Sequence, residues 1–158
     1  AVPIKESLAL LQGMAEAASV RISEEYPVSP VIVNFDHNDI KQVLINLLYN
    51  ALQAMPDGGE LRVRLLTAND TDAIVEVEDT GVGIPPENVS KIFEPFFSTK
   101  ESGHGTGLGL SISYRIVQNH GGRIIVESNV GKGTVFRIFL PLLRQGASVK
   151  PLEKIKLR

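Results

Sequence analysis

Leu8, Leu11, Ala15, Ala18 and Ile22 recur three to four residues apart. Side chains at that period share one face of an α-helix, so an amphipathic helix is predicted over residues 4–19. β-branched and aromatic residues then gather at Val31, Ile32, Val33 and Phe35, behind a turn marked by Pro27 and Pro30; this predicts a strand over 31–35. Asp36 or Asn38 can cap a second helix, predicted over 39–55 and stopped by Pro56-Asp57-Gly58-Gly59. Residues 61–66 and 74–78 alternate between apolar and polar, as paired strands with a polar outer face do. The stretch 81–109 carries prolines, phenylalanines and repeated glycines with no sustained period, which marks a functional loop or lid. A third helix is predicted over 108–120, stopped by Gly121-Gly122. Residues 123–127 and 134–140 read as a last hairpin turning at 129–133. The fold class is therefore α+β: a two-layer sandwich of a mixed, mostly antiparallel sheet packed on about three helices. One domain is expected over 1–144, followed by a polar tail over 145–158.

Composition narrows the function classes. The chain has 158 residues, 43% hydrophobic and 22% charged, which is the balance of one soluble globular domain with a real core. A formal net charge of −2 argues against nucleic acid as a partner, since phosphate contacts need a basic face. Without cysteine there are no disulfides, thiolate metal sites or cysteine nucleophile. The most apolar helical run, 43–49, is too short to span a membrane and is broken by Asn46. The N-terminus lacks the basic start and long apolar centre of a signal peptide, and the chain is expected to be a piece of a longer one.

Three constellations carry candidate chemistry. Asn46 and Asn50 lie one turn apart on the second helix, among Val43, Leu44, Leu47, Leu48 and Ala51. Amides in such surroundings need polar partners; their oxygens suit Mg²⁺, a hard ion shared with nucleotide phosphates, or they bond neighbouring backbone. Asp79-Thr-Gly81-Val-Gly83 ends a strand. An ionised Asp79 accepts hydrogen bonds only, so its natural partner is a donor such as the exocyclic amine of adenine, while a plain β-turn is the alternative. Gly103-His-Gly105-Thr106-Gly107-Leu108-Gly109 runs into the third helix. Backbone N–H groups there can cradle a polyphosphate at a helix N-terminus, although the spacing is neither a dinucleotide fingerprint nor a P-loop; a structural glycine hinge is the alternative. Between the last two lies Phe93-Glu-Pro-Phe96-Phe97-Ser-Thr-Lys100, whose aromatics clamp a lid or await a partner.

In order and spacing, NLLYNALQA (46–54), DTGVGIP (79–85), FEPFFSTK (93–100), GTGLGLSIS (105–113), HGGRI (120–124) and GKGTVFRIFLP (131–141) resemble the N, G1, F and G2 boxes and flanking segments of the catalytic ATP-binding domain of sensor histidine kinases. That family belongs to the wider GHKL ATPases, and NALQAMPDGGEL with PFFSTK looks most like the nitrogen-regulation type. The resemblance covers residues 8–141 and implies the GHKL ATP-binding fold, with ATP and Mg²⁺ as cofactors. It implies Asn50 as the Mg²⁺ ligand and Asn46 near the phosphates, with Asp79 on the adenine amine and Gly81, Gly83 and Ile84 beside the base. Gly105, Thr106, Gly107, Leu108 and Gly109 would wrap the phosphates, and Thr134 would lie in the adenine pocket near Asp79. Residues 84–106 would form a mobile lid. Gln53 stands where many relatives carry a basic residue, which turns attention to Lys100 and His104 as phosphate cations; Asn46 and Lys100 are the candidate catalytic residues.

The resemblance further implies a kinase that phosphorylates a histidine on a separate dimerisation domain, which this sequence lacks, and a response regulator downstream. As phosphoacceptors, His37, His104 and His120 are each set aside in favour of a structural reading. The domain is expected to be cytoplasmic, without direct membrane contact, although its parent protein can be anchored. In the hydrolases of the superfamily a glutamate stands at the position of Asn46. An amide cannot act as a general base, so a self-sufficient hydrolase is disfavoured, and the F box and long lid disfavour an anti-sigma-type serine kinase. A degenerate domain that only binds is the remaining alternative.

Overall fold

The structure, a computed structural model, describes residues 1–69, 71–97 and 107–143. Lys100, His104, Gly105 and Thr106, together with the tail 145–158, lie outside the described residues.

Helix α1 (Val2–Ala17) buries Ile4, Leu8, Leu11 and Ala15 at the predicted period, with Ser7 among them. Ser19 then takes a left-handed φ of 57° and turns the chain into strand β1 (Val20–Glu25). Helix α2 (His37–Gln53) is capped by Asp36, whose side chain accepts from the Asn38 and Asp39 N–H groups. Its Val43, Leu44, Leu47 and Leu48 are fully buried. Strands β2 (Gly59–Ala68) and β3 (Asp72–Asp79) pair antiparallel. A single turn, α3 (Pro86–Val89), follows, then helix α4 (Gly109–Asn119) and the hairpin β4 (Arg123–Asn129) and β5 (Gly133–Pro141).

The five strands lie in the order β1-β2-β3-β5-β4, with only β1 and β2 parallel. The sheet is mixed and mostly antiparallel, as the alternation predicts. Inward residues Leu61, Val63, Val77 and Ile138 are at most 1% exposed and join the helices' apolar faces in one core. Helix α2 sits centrally, touching α1, α4 and β3. The outer face is polar: Glu76, 4% exposed, lies between Arg64 and Arg137, while Arg62 and Arg64 both reach Glu78 at 3.1 Å. The period-two alternation thus separates a dry face from an ion-paired one.

Two elements differ from the sequence reading. Residues 31–35 form no strand; Val33 makes an isolated bridge to Leu142, and Val31, Val33 and Phe35 pack as apolar cover on the core. The edge strand β1 was concealed by Ile22, which continues the helical period although it lies beyond the turn at Ser19. The predicted bounds of α2, α4 and the remaining strands move by a few residues, as helix and strand ends do.

Candidate functional site

A hollow of about 170 Å³ opens where the C-terminal part of α2 meets the end of β3 and the start of β5. Asn50, Ala51 and Ala54 line it from α2, and Asp79 from β3. Val82, Gly83 and Ile84 line it from the following loop, Thr134 and Phe136 from β5, and Leu110 from the first turn of α4. Ile92 and Phe97 close it. Four segments far apart in sequence therefore meet on one concave surface, which is the usual form of a small-molecule site.

Asp79 is the charge in that hollow. It is the last residue of β3, at an inward-facing position opposite Leu61 on one side and Thr134 on the other. Its carboxylate accepts from the Gly81 N–H at 2.8 Å and is hydrogen-bonded by the Thr134 backbone. Burial pushes its carboxyl above the ordinary aspartate range, and nearby Glu78 adds to the shift; the Gly81 and Thr134 hydrogen bonds hold it down in part. A carboxylate kept in an apolar hollow with two fixed donors is a perturbed, oriented acceptor.

The walls are tied by backbone. Val82 N–H donates to Ala54 O at 3.0 Å, and Gly131 N–H to Val82 O at 2.8 Å. Gly83 has φ of +74°, and a Cβ there would stand 2.2 Å from the Asn129 carbonyl; only glycine lets this loop approach the β4–β5 turn so closely. Ile84 N–H donates to Ser128 Oγ at 2.8 Å.

The predicted amides separate. Asn50 lines the hollow. Asn46 does not; its Nδ2 donates to Gly109 O at 3.1 Å and to Ser113 Oγ at 3.2 Å, so it holds the start of α4 against α2. Gln53 also lies outside the lining. Of the glycine-rich segment, Gly107 packs on the Phe96 backbone, its carbonyl accepting from Phe96 N–H at 3.0 Å. Leu108 is the N-cap of α4, without a side-chain cap bond, and Gly109 begins that helix beside Asn46. The N-terminal end of α4 thus lies next to the hollow, where Leu110 enters it.

The aromatic loop divides as well. Phe93 packs on Tyr114 and Phe136, with ring centroids 5.2 and 6.5 Å apart, and Phe97 lines the hollow. Phe96, with φ of 66°, is 78% exposed. His37 pairs with Glu6 at 3.0 Å. His120 stacks on Phe35 at 3.9 Å, with Nδ1 2.8 Å from Ile116 O. Both are engaged structurally, as read from the sequence.

A larger hollow of about 260 Å³ lies beside the N-terminus of α1 and is lined almost wholly by apolar side chains such as Ile4, Val33, Leu44 and Leu140, with His37 at its margin. It lacks a carboxylate or amide, so size and chemistry part company and the smaller hollow is the candidate. Sequence reasoning missed Ser128 and Gly133. The available signal was a hydroxyl at an inward position of β4, in line with Ile124 and Val126 and directly opposite Thr134.

For a bound Mg²⁺–nucleotide, the donors available are the right type. Asn50 offers a hard amide oxygen. Among the described residues no cluster of three or more His, Cys, Asp or Glu could hold a metal, so the ion's other ligands would be phosphate oxygens and water.

The sequence pattern described as histidine kinase-, DNA gyrase B-, and HSP90-like ATPase matches residues 35–144. The chain is 48% identical over 125 residues to the sensor kinase CckA of Brucella abortus (strain 2308), an alignment covering 70% of this chain and 13% of that protein. The catalytic domain of histidine kinase ThkA, nucleotide-free, superposes with a TM-score of 0.78 at 35% identity, covering 88% of this chain and 90% of that one. Full-length ShkA in complex with AMPPNP gives 0.80 at 25% identity, covering 95% and 31%. The chain thus spans a small part of the length of its curated relatives.

Proposed function

Because the chain belongs to the histidine kinase-, DNA gyrase B- and HSP90-like ATPase family, and within it to the histidine kinase catalytic domains, we propose that it is the ATP-binding catalytic domain of a two-component sensor histidine kinase. The observation that carries this reading is the buried Asp79 carboxylate sharing one hollow with Asn50, Gly83 and Thr134. A buried acceptor fixed by two donors suits the exocyclic amine of adenine. The apolar walls Ile84, Ile92 and Phe136 suit the faces of a purine ring.

From the base, the phosphates extend toward α4, whose N-terminal end favours negative charge. Gly105 to Gly109 wrap them, and Lys100 serves as a phosphate cation. Asn50 holds Mg²⁺, which when bound neutralises phosphate charge. The domain's own part is orientation and charge stabilisation, as phosphoryl transfer demands. The γ-phosphorus bonds to an imidazole nitrogen of a histidine on a separate dimerisation domain as its bond to the β–γ bridging oxygen breaks, and ADP leaves. That phosphoryl group then passes to a response regulator. Among the described residues no helix is long and apolar enough to cross a membrane, and the proposed site of action is the cytoplasm.

Asn46 bears on the rival reading. Its amide is committed to α4 and cannot activate water, which supports transfer over unaided hydrolysis. The test uses γ-labelled ATP with this chain alone and with a histidine-bearing dimerisation domain. Label is expected on the added domain only. Strong self-labelling, or steady phosphate release by the chain alone, overturns the kinase reading.

A further inference from the structure

Behind Thr134, three groups from two segments converge on one hydroxyl. Ser128 Oγ lies 2.8 Å from Ile84 N, 3.0 Å from Gly133 O and 2.9 Å from Thr134 Oγ1. A serine hydroxyl has one proton and two lone pairs. Ile84 N–H can only donate and Gly133 O can only accept, so these two partners occupy one lone pair and the proton. The remaining lone pair faces Thr134 Oγ1, and the pairing is complete when Thr134 is the donor. Thr134 is 4% exposed and lines the hollow beside Asp79. With its proton turned back to Ser128, its oxygen is left as an acceptor.

We infer that Ser128 is a positioning residue that sets base specificity: it takes the Thr134 proton, so that Thr134 and Asp79 face the hollow as two acceptors matched to an exocyclic amine and opposed to a carbonyl. The inference rests on the proposed function and deepens it. An amine at purine position 6 brings two N–H bonds to these two oxygens. A carbonyl at the same place brings lone pairs against them, and buried like-polarity contacts of this kind are strongly rejected. Without the Ser128 hydroxyl, the Thr134 O–H is free to rotate and donate to that carbonyl.

The experiment measures Kd by calorimetry for ATP and for inosine triphosphate, which carries the carbonyl, on the intact chain and on Ser128→Ala and Ser128→Thr. The native chain is expected to prefer ATP. Ser128→Ala should narrow that preference roughly five- to tenfold, with inosine triphosphate binding held or improved, while Ser128→Thr keeps it. A merely structural role predicts parallel weakening of both ligands; that result, or no change at all, overturns the inference. Should Ser128→Ala not fold, Thr134→Val is expected to narrow the preference likewise, and a full preference in that variant overturns the inference. If the native chain binds no ATP, the proposed function falls; if it binds and the preference ignores Ser128, only this inference falls.

Discussion

The Asn46 side chain on α2 donates to the carbonyl of Gly109, the first residue of α4, at 3.1 Å. Its second hydrogen goes to Ser113 Oγ at 3.2 Å, and that hydroxyl donates in turn to the same Gly109 carbonyl at 2.9 Å. The three groups close on themselves and hold α4 against α2. Asn46→Asp keeps the shape and replaces two donors by a carboxylate facing a carbonyl. A loss of about 2 kcal/mol at neutral pH is expected, read from urea denaturation, together with weaker nucleotide binding. Unchanged stability would show that the contact holds nothing.

Asp79 sets a pH dependence whose sign follows from burial. Its folded carboxyl titrates above the ordinary aspartate range. Between the unfolded and folded values the folded chain holds a proton that the unfolded chain has lost. Stability of the unliganded domain should therefore fall as pH rises through that interval and then level off. An amine donor needs the carboxylate, so ATP affinity should rise over the same interval. Asp79→Asn should abolish both trends and most of the binding. Thermal midpoints and calorimetric Kd values from acid to neutral pH decide it; an affinity flat across the interval counts against Asp79 as the base acceptor.

Gly133 has φ of +109°, and a Cβ there would stand 1.9 Å from the Asp79 carbonyl. Gly133→Ala must push β5 away from β3 at the site itself. A loss of about 3 kcal/mol is expected, with nucleotide affinity falling alongside. Gly131, whose added Cβ would meet nothing within 4 Å, is the internal comparison: it shares a positive φ of 75°, so Gly131→Ala should be clearly milder. Equal losses for the two would rule out the close approach as the cause.

Ser7 is fully buried on α1, and its hydroxyl finds no hydrogen-bond partner among the described residues. Ser7→Ala removes an unpaired polar atom and improves helix propensity, and should raise stability by about 1 kcal/mol. Denaturant midpoints check it. A drop would mean that the hydroxyl is paired after all.

Much of this fold was legible because period and capping agreed. The run Val43, Leu44, Leu47, Leu48 with Asp36 at its head gave α2, and the alternation over 74–78 gave β3 with Asp79 at its end. The amides were legible as a pair but not as individuals. Helical spacing places Asn46 and Asn50 on one face, yet it cannot say that α4 arrives to satisfy the first while the second fronts the hollow. Strand β1 was hidden because a backbone reversal at Ser19 leaves no hydrophobic trace, and residues 31–35 misled because β-branched residues cover a core as readily as they join a ladder. Ser128 escaped because a lone hydroxyl acquires meaning only from its partners, and one of them, Ile84, lies 44 residues away in the chain.

The β2–β3 register aligns Leu61 with Asp79 and Arg62 with Glu78. Slipping β3 by a single position would exchange the fate of two neighbouring acids: Glu78 would turn into the dry side and Asp79 out among the arginines. The register of β3 against β2 and β5 therefore specifies the site's chemistry as firmly as the identity of the acid does.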